Sequence, residues 1–153
     1  MRMVEKRIKE LGLELPPVPK PLAAYAPFAK SGRLIFVSGQ LPRKEGKIVC
    51  TGKVGAGISL DQGKEAARLC ALNALSVLKA AAGNLDKVKR ILRLTCWVAS
   101  ADDFYDHAKV ADGASDLMLA VFREAGKHSR MTAGVNALPG NAAVAIDLIA
   151  ELK

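Results

Sequence analysis

Two alternating apolar–polar runs stand near the end of the chain, Arg130-Met-Thr-Ala-Gly-Val-Asn-Ala-Leu-Pro139 and Ala143-Val-Ala-Ile-Asp-Leu-Ile-Ala-Glu-Leu152. Side chains of a strand alternate between faces, so a period of two predicts one strand in each run. Leu138-Pro139-Gly140-Asn141 supplies turn chemistry between them and predicts an antiparallel pair. Upstream, Ala23-Ala-Tyr-Ala-Pro-Phe-Ala-Lys-Ser-Gly32 followed by Arg33-Leu-Ile-Phe-Val-Ser-Gly39 predicts a hairpin turning at Ser31-Gly32. Its second half is almost continuously apolar, as a central strand requires. From Val88 to Ala99, Leu92, Leu94, Cys96 and Val98 face one way, with Arg93, Thr95 and Trp97 on the other side.

Helical spacing fills the rest. Val4, Ile8 and Leu11 share one face of a short N-terminal helix that Gly12 terminates. Pro16-Pro-Val-Pro-Lys-Pro21 then enforces an extended linker, so residues 1–20 read as an appendage and 21–153 as the domain. Gly46, Gly52, Gly55 and Gly57 mark a loop with little regular structure. Ser59-Leu60-Asp61-Gln62 is a capping box opening a long helix, with Ala66, Leu69, Cys70, Asn73, Val77 and Ala80 in its stripe and Gly83 at its end. Ser100 to Asp103 reads as the start of another helix, with Leu117, Val121 and Phe122 on its apolar side and Gly126 at its end. The order helix, β-β, long helix, β, helix, β-β predicts an α+β layer fold with both main helices on one face of an antiparallel-dominated sheet.

A chain of 153 residues, half of them hydrophobic, closes one core. The formal charge of +8 turns attention to anionic partners. The cations are scattered, however, as at Lys6, Arg7, Lys44, Lys47, Lys89 and Arg90, and no RNP-type motif accompanies them. A solvated basic surface is the better reading than a nucleic-acid footprint. Cys50, Cys70 and Cys96 are widely spaced, with only His107 and His128 as other soft ligands, so no metal site is expected. Cys70 and Cys96 fall in apolar patterns and read as core. With neither a signal-peptide pattern nor a membrane-spanning run, the chain reads as cytoplasmic.

The chemistry-bearing candidate is Arg130. Its guanidinium matches a carboxylate or phosphate bidentately, although spacing alone favours a solvated arginine at a strand end. Asn73 could touch a ligand, but the simpler reading is a satisfied helix amide.

Three separated pieces share one pattern. Phe36-Val37-Ser38-Gly39-Gln40-Leu41-Pro42 follows the hairpin, with Tyr25 thirteen residues before Ser38. The strand from Arg130 reaches Leu138-Pro139, and the last strand reads Val144-Ala-Ile-Asp-Leu-Ile-Ala150. From about Pro21 to Leu152 the chain resembles the RidA/YjgF family of enamine/imine deaminases, also described as L-PSP endoribonucleases. Its N-terminal helix, long glycine-bearing loop and Ala111-Asp-Gly-Ala-Ser115 stretch are similar to a longer branch of that family.

The resemblance implies a chorismate-mutase-like fold and a homotrimer whose sheets line a central barrel, with a cleft at each subunit interface. It implies that Arg130 clamps a substrate carboxylate and that Tyr25, Ser38, Gly39 and Thr132 line the same cleft. Asp112 and Ser115, one helical turn apart, both fall near the family's ligand-contacting asparagine position. No cofactor is implied. At the position of the family's water-orienting glutamate this chain has Ala145, while Asp147, on the same strand face, matches a second acidic position. Three readings follow: a deaminase of small enamine/imine carboxylates giving 2-keto acids and ammonia, a non-catalytic trimeric binder of small carboxylates, and an L-PSP-type endoribonuclease. The last lacks any evident His pair or carboxylate–His constellation in the sequence.

Overall fold

The computed structural model describes residues 3–18 and 24–153. Pro19 to Pro21, and with them the expected boundary at residues 20 and 21, lie outside the described residues. In chain order the elements are α1 (Met3–Glu10), β1 (Phe28–Ser31), β2 (Leu34–Gln40), β3 (Arg43–Lys44), β4 (Lys47–Ile48), β5 (Lys53–Val54), β6 (Gly57–Ile58), α2 (Leu60–Ala82), β7 (Val88–Ala99), α3 (His107–Phe122), β8 (Ser129–Val135) and β9 (Val144–Leu152). The main sheet has the order β1-β2-β9-β7-β8, antiparallel except for the parallel β7–β8 pair. This is a mixed α+β fold.

Several elements form as their local chemistry dictates. The β1–β2 hairpin turns at Gly32, whose φ of 58° suits glycine. In α2 the Ser59 hydroxyl accepts from the Gln62 N–H at 3.1 Å, and the Gln62 side chain accepts from the Ser59 N–H at 2.8 Å. Gly83, at φ 81°, ends the helix. Cys70, Ala74, Val77 and Leu78 of α2 and Val110, Leu117 and Met118 of α3 pack onto Ile35, Leu94, Cys96, Ile146 and Leu148 of the sheet, all fully buried or nearly so. Each buried Leu, Ile or Met contributes about 1.5–3 kcal/mol. The two helices approach closely because Gly113 has no side chain: a Cβ there would stand 2.0 Å from the Lys64 carbonyl oxygen.

Other expectations are corrected. The runs at β8 and β9 do not pair with each other, because β7 lies between them. Residues 136–143 are not a tight turn; Gly52 donates to Asn141 and Ala143 donates to Cys50, so this connection is bonded to the glycine-bearing loop. That loop is itself more regular than expected, containing the β3–β4 and β5–β6 pairs. α3 begins at His107, not near Ser100, because Ala101 donates to the Val54 carbonyl and Ser100 to that of Val135. In β7 a register shift between Ile91 and Arg93 turns Ile91 into the core and leaves Leu92 half-buried.

α1 is locked to the body reciprocally. The Val4 N–H donates to the Asp86 carboxylate at 2.7 Å, and the Leu85 N–H donates to the Glu5 carboxylate at 3.1 Å. Arg7 donates to the Val121 carbonyl in the last turn of α3, where a cation complements the helix dipole.

Candidate functional site

Because β8 runs parallel to β7, Arg130 stands beside Leu94 and Thr132 beside Cys96, on the face covered by the helices. There the Arg130 guanidinium meets α3: Nη1 donates to Asp112 Oδ1 at 2.8 Å and to Ser115 Oγ at 3.1 Å. The Arg130 side chain is 26% exposed and that of Asp112 46%, so the pair sits at the rim of the layer. Among the described residues, Nε and Nη2 have no partner, and together they form one bidentate edge of the guanidinium.

His128, two residues earlier and on the same strand-side periodicity, completes the cluster. Its Nδ1 lies 2.6 Å from the Gly126 carbonyl and its Nε2 2.9 Å from Ser115 Oγ. A carbonyl only accepts, so Nδ1 carries a hydrogen, and in the neutral ring Nε2 accepts from the Ser115 hydroxyl. Gly126 makes this possible: a Cβ there would lie 2.3 Å from the Met118 carbonyl oxygen, so only glycine lets the turn fold so tightly against α3. In the sequence His128 stands out only as a soft ligand. Its spacing of two from Arg130 was the available signal.

The other candidates occupy different places. Ser38 and Gly39 lie where the β2–β9 register shifts between Val37 and Gln40. The Ser38 hydroxyl donates to the Ala26 carbonyl at 2.7 Å, and its N–H to that of Pro27 at 3.0 Å, tying the segment after Tyr25 to β2. Tyr25 is 60% exposed, and a Cβ on Gly39 would meet nothing within 4 Å. Asn73 is a satisfied amide that donates to the carbonyls of Leu41 and Arg43 and so fixes the chain beyond β2. Between β2 and β8 lie β9 and β7. Three ladder steps of about 4.8 Å separate the two groups by roughly 14 Å within one chain.

Ala145 and Asp147 project from the face without helices, with Ala145 opposite Trp97 and Asp147 opposite Thr95. The Trp97 indole donates diagonally to Asp147 at 2.9 Å. Thr95 and Ala145 are only 8% and 7% exposed on this uncovered face, as expected with an indole lying along it. Asp147 is thus engaged, and the Ala145 position points away from Arg130 of the same chain.

Two further features do not converge on Arg130. A groove of about 1220 Å³ runs between Leu15, the β3–β4 turn and α2, but its rim mixes Glu14, Glu65, Arg43 and Arg68 without focusing one charge. His107 also bonds a serine, Ser100, at 3.1 Å, and both would meet a side chain placed at Gly134. Burial dominates at Cys96, pushing its thiol up to about 12 despite the opposing influence of Arg130.

The fold agrees with what the chain is similar to. Residues 5–152 match the model of the family described as "YjgF/chorismate_mutase-like, putative endoribonuclease". The chain belongs to this family. A relative, Protein TCP17 of Trypanosoma cruzi, is 42% identical over 151 residues, covering 98% of this chain and 94% of that protein. The crystal structure of Atu1372 from Agrobacterium tumefaciens, a protein of unknown function, is 44% identical with a TM-score of 0.90, covering 99% of this chain and 94% of that one. E. coli TdcF with bound serine shares the YjgF-like fold at 22% identity and a TM-score of 0.64, over 89% of this chain and 94% of its own. No helix among the described residues is long and apolar enough to cross a membrane.

Proposed function

We propose that this YjgF-like protein hydrolyses small enamine or imine carboxylates, giving 2-keto acids and ammonia, in a cleft completed by another copy of the chain. The observation that carries this reading is the state of Arg130. Asp112 and Ser115 hold both hydrogens of Nη1, which orients the side chain and leaves the Nε–Nη2 edge free for a carboxylate. The serine in E. coli TdcF, itself a small carboxylate, fits the same ligand class.

The enamine tautomerises to an imine, water adds to the imine carbon, and ammonia leaves as the carbonyl forms. Arg130 holds the carboxylate, and fixed geometry supplies most of the acceleration. A homotrimer is part of the proposal. Tyr25, Ser38 and Gly39 lie toward one edge of the sheet and Arg130 and Thr132 at the other, so apposing edges of two copies brings them into one cleft. The helix-free face, with Phe36, Trp97 and Met131 exposed, is an apolar surface for the same assembly.

A second reading, a carboxylate binder without catalysis, is favoured by Ala145 and by the engagement of Asp147 with Trp97. RNA hydrolysis is poorly supported. The two Ser–His pairs sit at the His128 and Gly134 ends of β8, about 20 Å apart at 3.3 Å per residue, too far to act on one phosphate. Supplying the protein with 2-aminoacrylate generated in situ tests the choice. Release of ammonia and 2-keto acid above the spontaneous rate supports the deaminase; saturable 2-keto acid binding without acceleration supports the binder.

A further inference from the structure

We infer that His128 acts through Ser115 as the positioning residue of the Arg130 site, so that a proton on its imidazole and a carboxylate on Arg130 bind cooperatively. The inference rests on the proposed carboxylate site for its ligand but not for its relay. In the neutral state the chain of bonds has one direction. Nδ1–H donates to the Gly126 carbonyl, the Ser115 hydroxyl donates to Nε2, and Ser115 Oγ is left as an acceptor for Arg130 Nη1. The serine hydrogen is therefore turned away from Arg130 and from any ligand bound there.

Protonation reverses one link. Nε2–H then donates to Ser115 Oγ, whose second lone pair still accepts from Arg130, and the hydroxyl hydrogen is released to donate elsewhere. The imidazolium also brings a second positive charge, no farther from Nη1 than the two bonds of 2.9 and 3.1 Å laid end to end. Charged residues on the elements that meet around His128 include Asp112 and Asp116 on α3, Arg123, Glu124 and Lys127 on the turn before β8, Arg90 and Arg93 on β7, and Arg130 itself. Of these, Lys127 pairs with Glu124 at 3.0 Å, Arg90 with Glu151 at 2.9 Å and Arg130 with Asp112 at 2.8 Å.

The test has two arms. In calorimetry with 2-oxobutanoate, wild-type affinity should rise about two- to fourfold as pH falls from roughly 8 to 5.5, as expected for a charge added roughly 10 Å away at high effective dielectric. His128→Asn, which can keep the bond to Gly126 but does not titrate, should lose that slope, and Ser115→Ala, which cuts the bonded link and leaves only the through-space charge, should reduce it. An equal slope in wild type and both variants overturns the inference. The second arm is nitrogen NMR of the ligand-free protein, in which His128 should show the Nδ1–H tautomer and the Arg130 guanidinium resonances should shift as His128 titrates, but not in Ser115→Ala. Arg130 resonances indifferent to His128 overturn the inference whatever the protein binds. A normal NMR coupling with no 2-oxobutanoate binding at any pH would support the relay and reject the proposed ligand class.

Discussion

The two edges of the sheet are built on opposite principles. At the β8 edge, Arg130, Asp112, Ser115 and His128 form one continuous network closed within the chain, seated on a turn that only Gly126 permits. At the β1–β2 edge, Ser38 bonds backbone carbonyls, Gly39 faces open space and Tyr25 stands exposed. One edge holds a charge in a fixed orientation; the other offers shape and surface with no charge of its own among Tyr25, Ser38 and Gly39. Each lacks what the other has, and this complementarity is the physical argument for a site made between copies.

The largest effect should fall on the charged edge. Arg130→Ala should weaken 2-keto acid binding by about ten- to hundredfold, the worth of a charge-assisted bidentate contact of roughly 1.5–3 kcal/mol, while the melting temperature changes little because the pair is partly solvated. An unchanged dissociation constant by calorimetry would remove the clamp and with it the contrast between the edges. On the open edge, Gly39→Phe should leave the fold within about 0.5 kcal/mol of wild type by denaturant titration, since a Cβ there meets nothing within 4 Å. Ligand binding should nevertheless fall about tenfold as the ring enters the cleft. Binding at wild-type strength would show that this edge faces only solvent.

Assembly can be checked without any ligand. Light scattering should return about three times the chain mass of 16.2 kDa, and a stable monomer at micromolar concentration would leave the two edges unrelated.

The smallest effect sharpens the boundary of the polar network. Cys96 pairs in register with Thr132, close to Arg130, yet burial raises its thiol from 9.0 to about 12. Burial likewise raises Cys70 well above 9.0 and Cys50 to a lesser degree. A thiol whose folded value is raised stabilises the fold fully below its unfolded value and loses that contribution as pH rises toward the folded one. Stability should therefore decline from pH 9.0 toward about 12, and a thiol reagent at neutral pH should modify Cys50 before Cys70 or Cys96. Early labelling of Cys96 would mean that water reaches the core along β8.

What could be read from the residues alone follows the range of the forces involved. The Ser59–Gln62 capping box, the turn at Gly32 and the buried Cys70 and Cys96 are fixed by neighbours close in sequence or by simple periodicity, and all were legible. The place of β7 between β8 and β9 was not, because strand order is set by packing between distant segments. Leu92 departs from simple alternation for a related reason: the β7–β9 register shift belongs to the pair and not to either strand. At the site, Arg130, Asp112 and Ser115 were all named from the family pattern and do meet. His128 was missed as a site residue because its partner Ser115 lies thirteen positions back and in another layer.

The most direct test of a site shared between copies is complementation. Arg130→Ala and Tyr25→Ala chains each spoil one edge and should each bind 2-keto acid poorly by calorimetry. Dissociated, mixed in equal amounts and reassembled, they should regain wild-type-affinity sites at about one quarter of wild-type stoichiometry, the share of interfaces in a closed ring that pair two intact edges. A mixture that binds no better than the separate variants, beside a wild type that binds fully, would contradict the account.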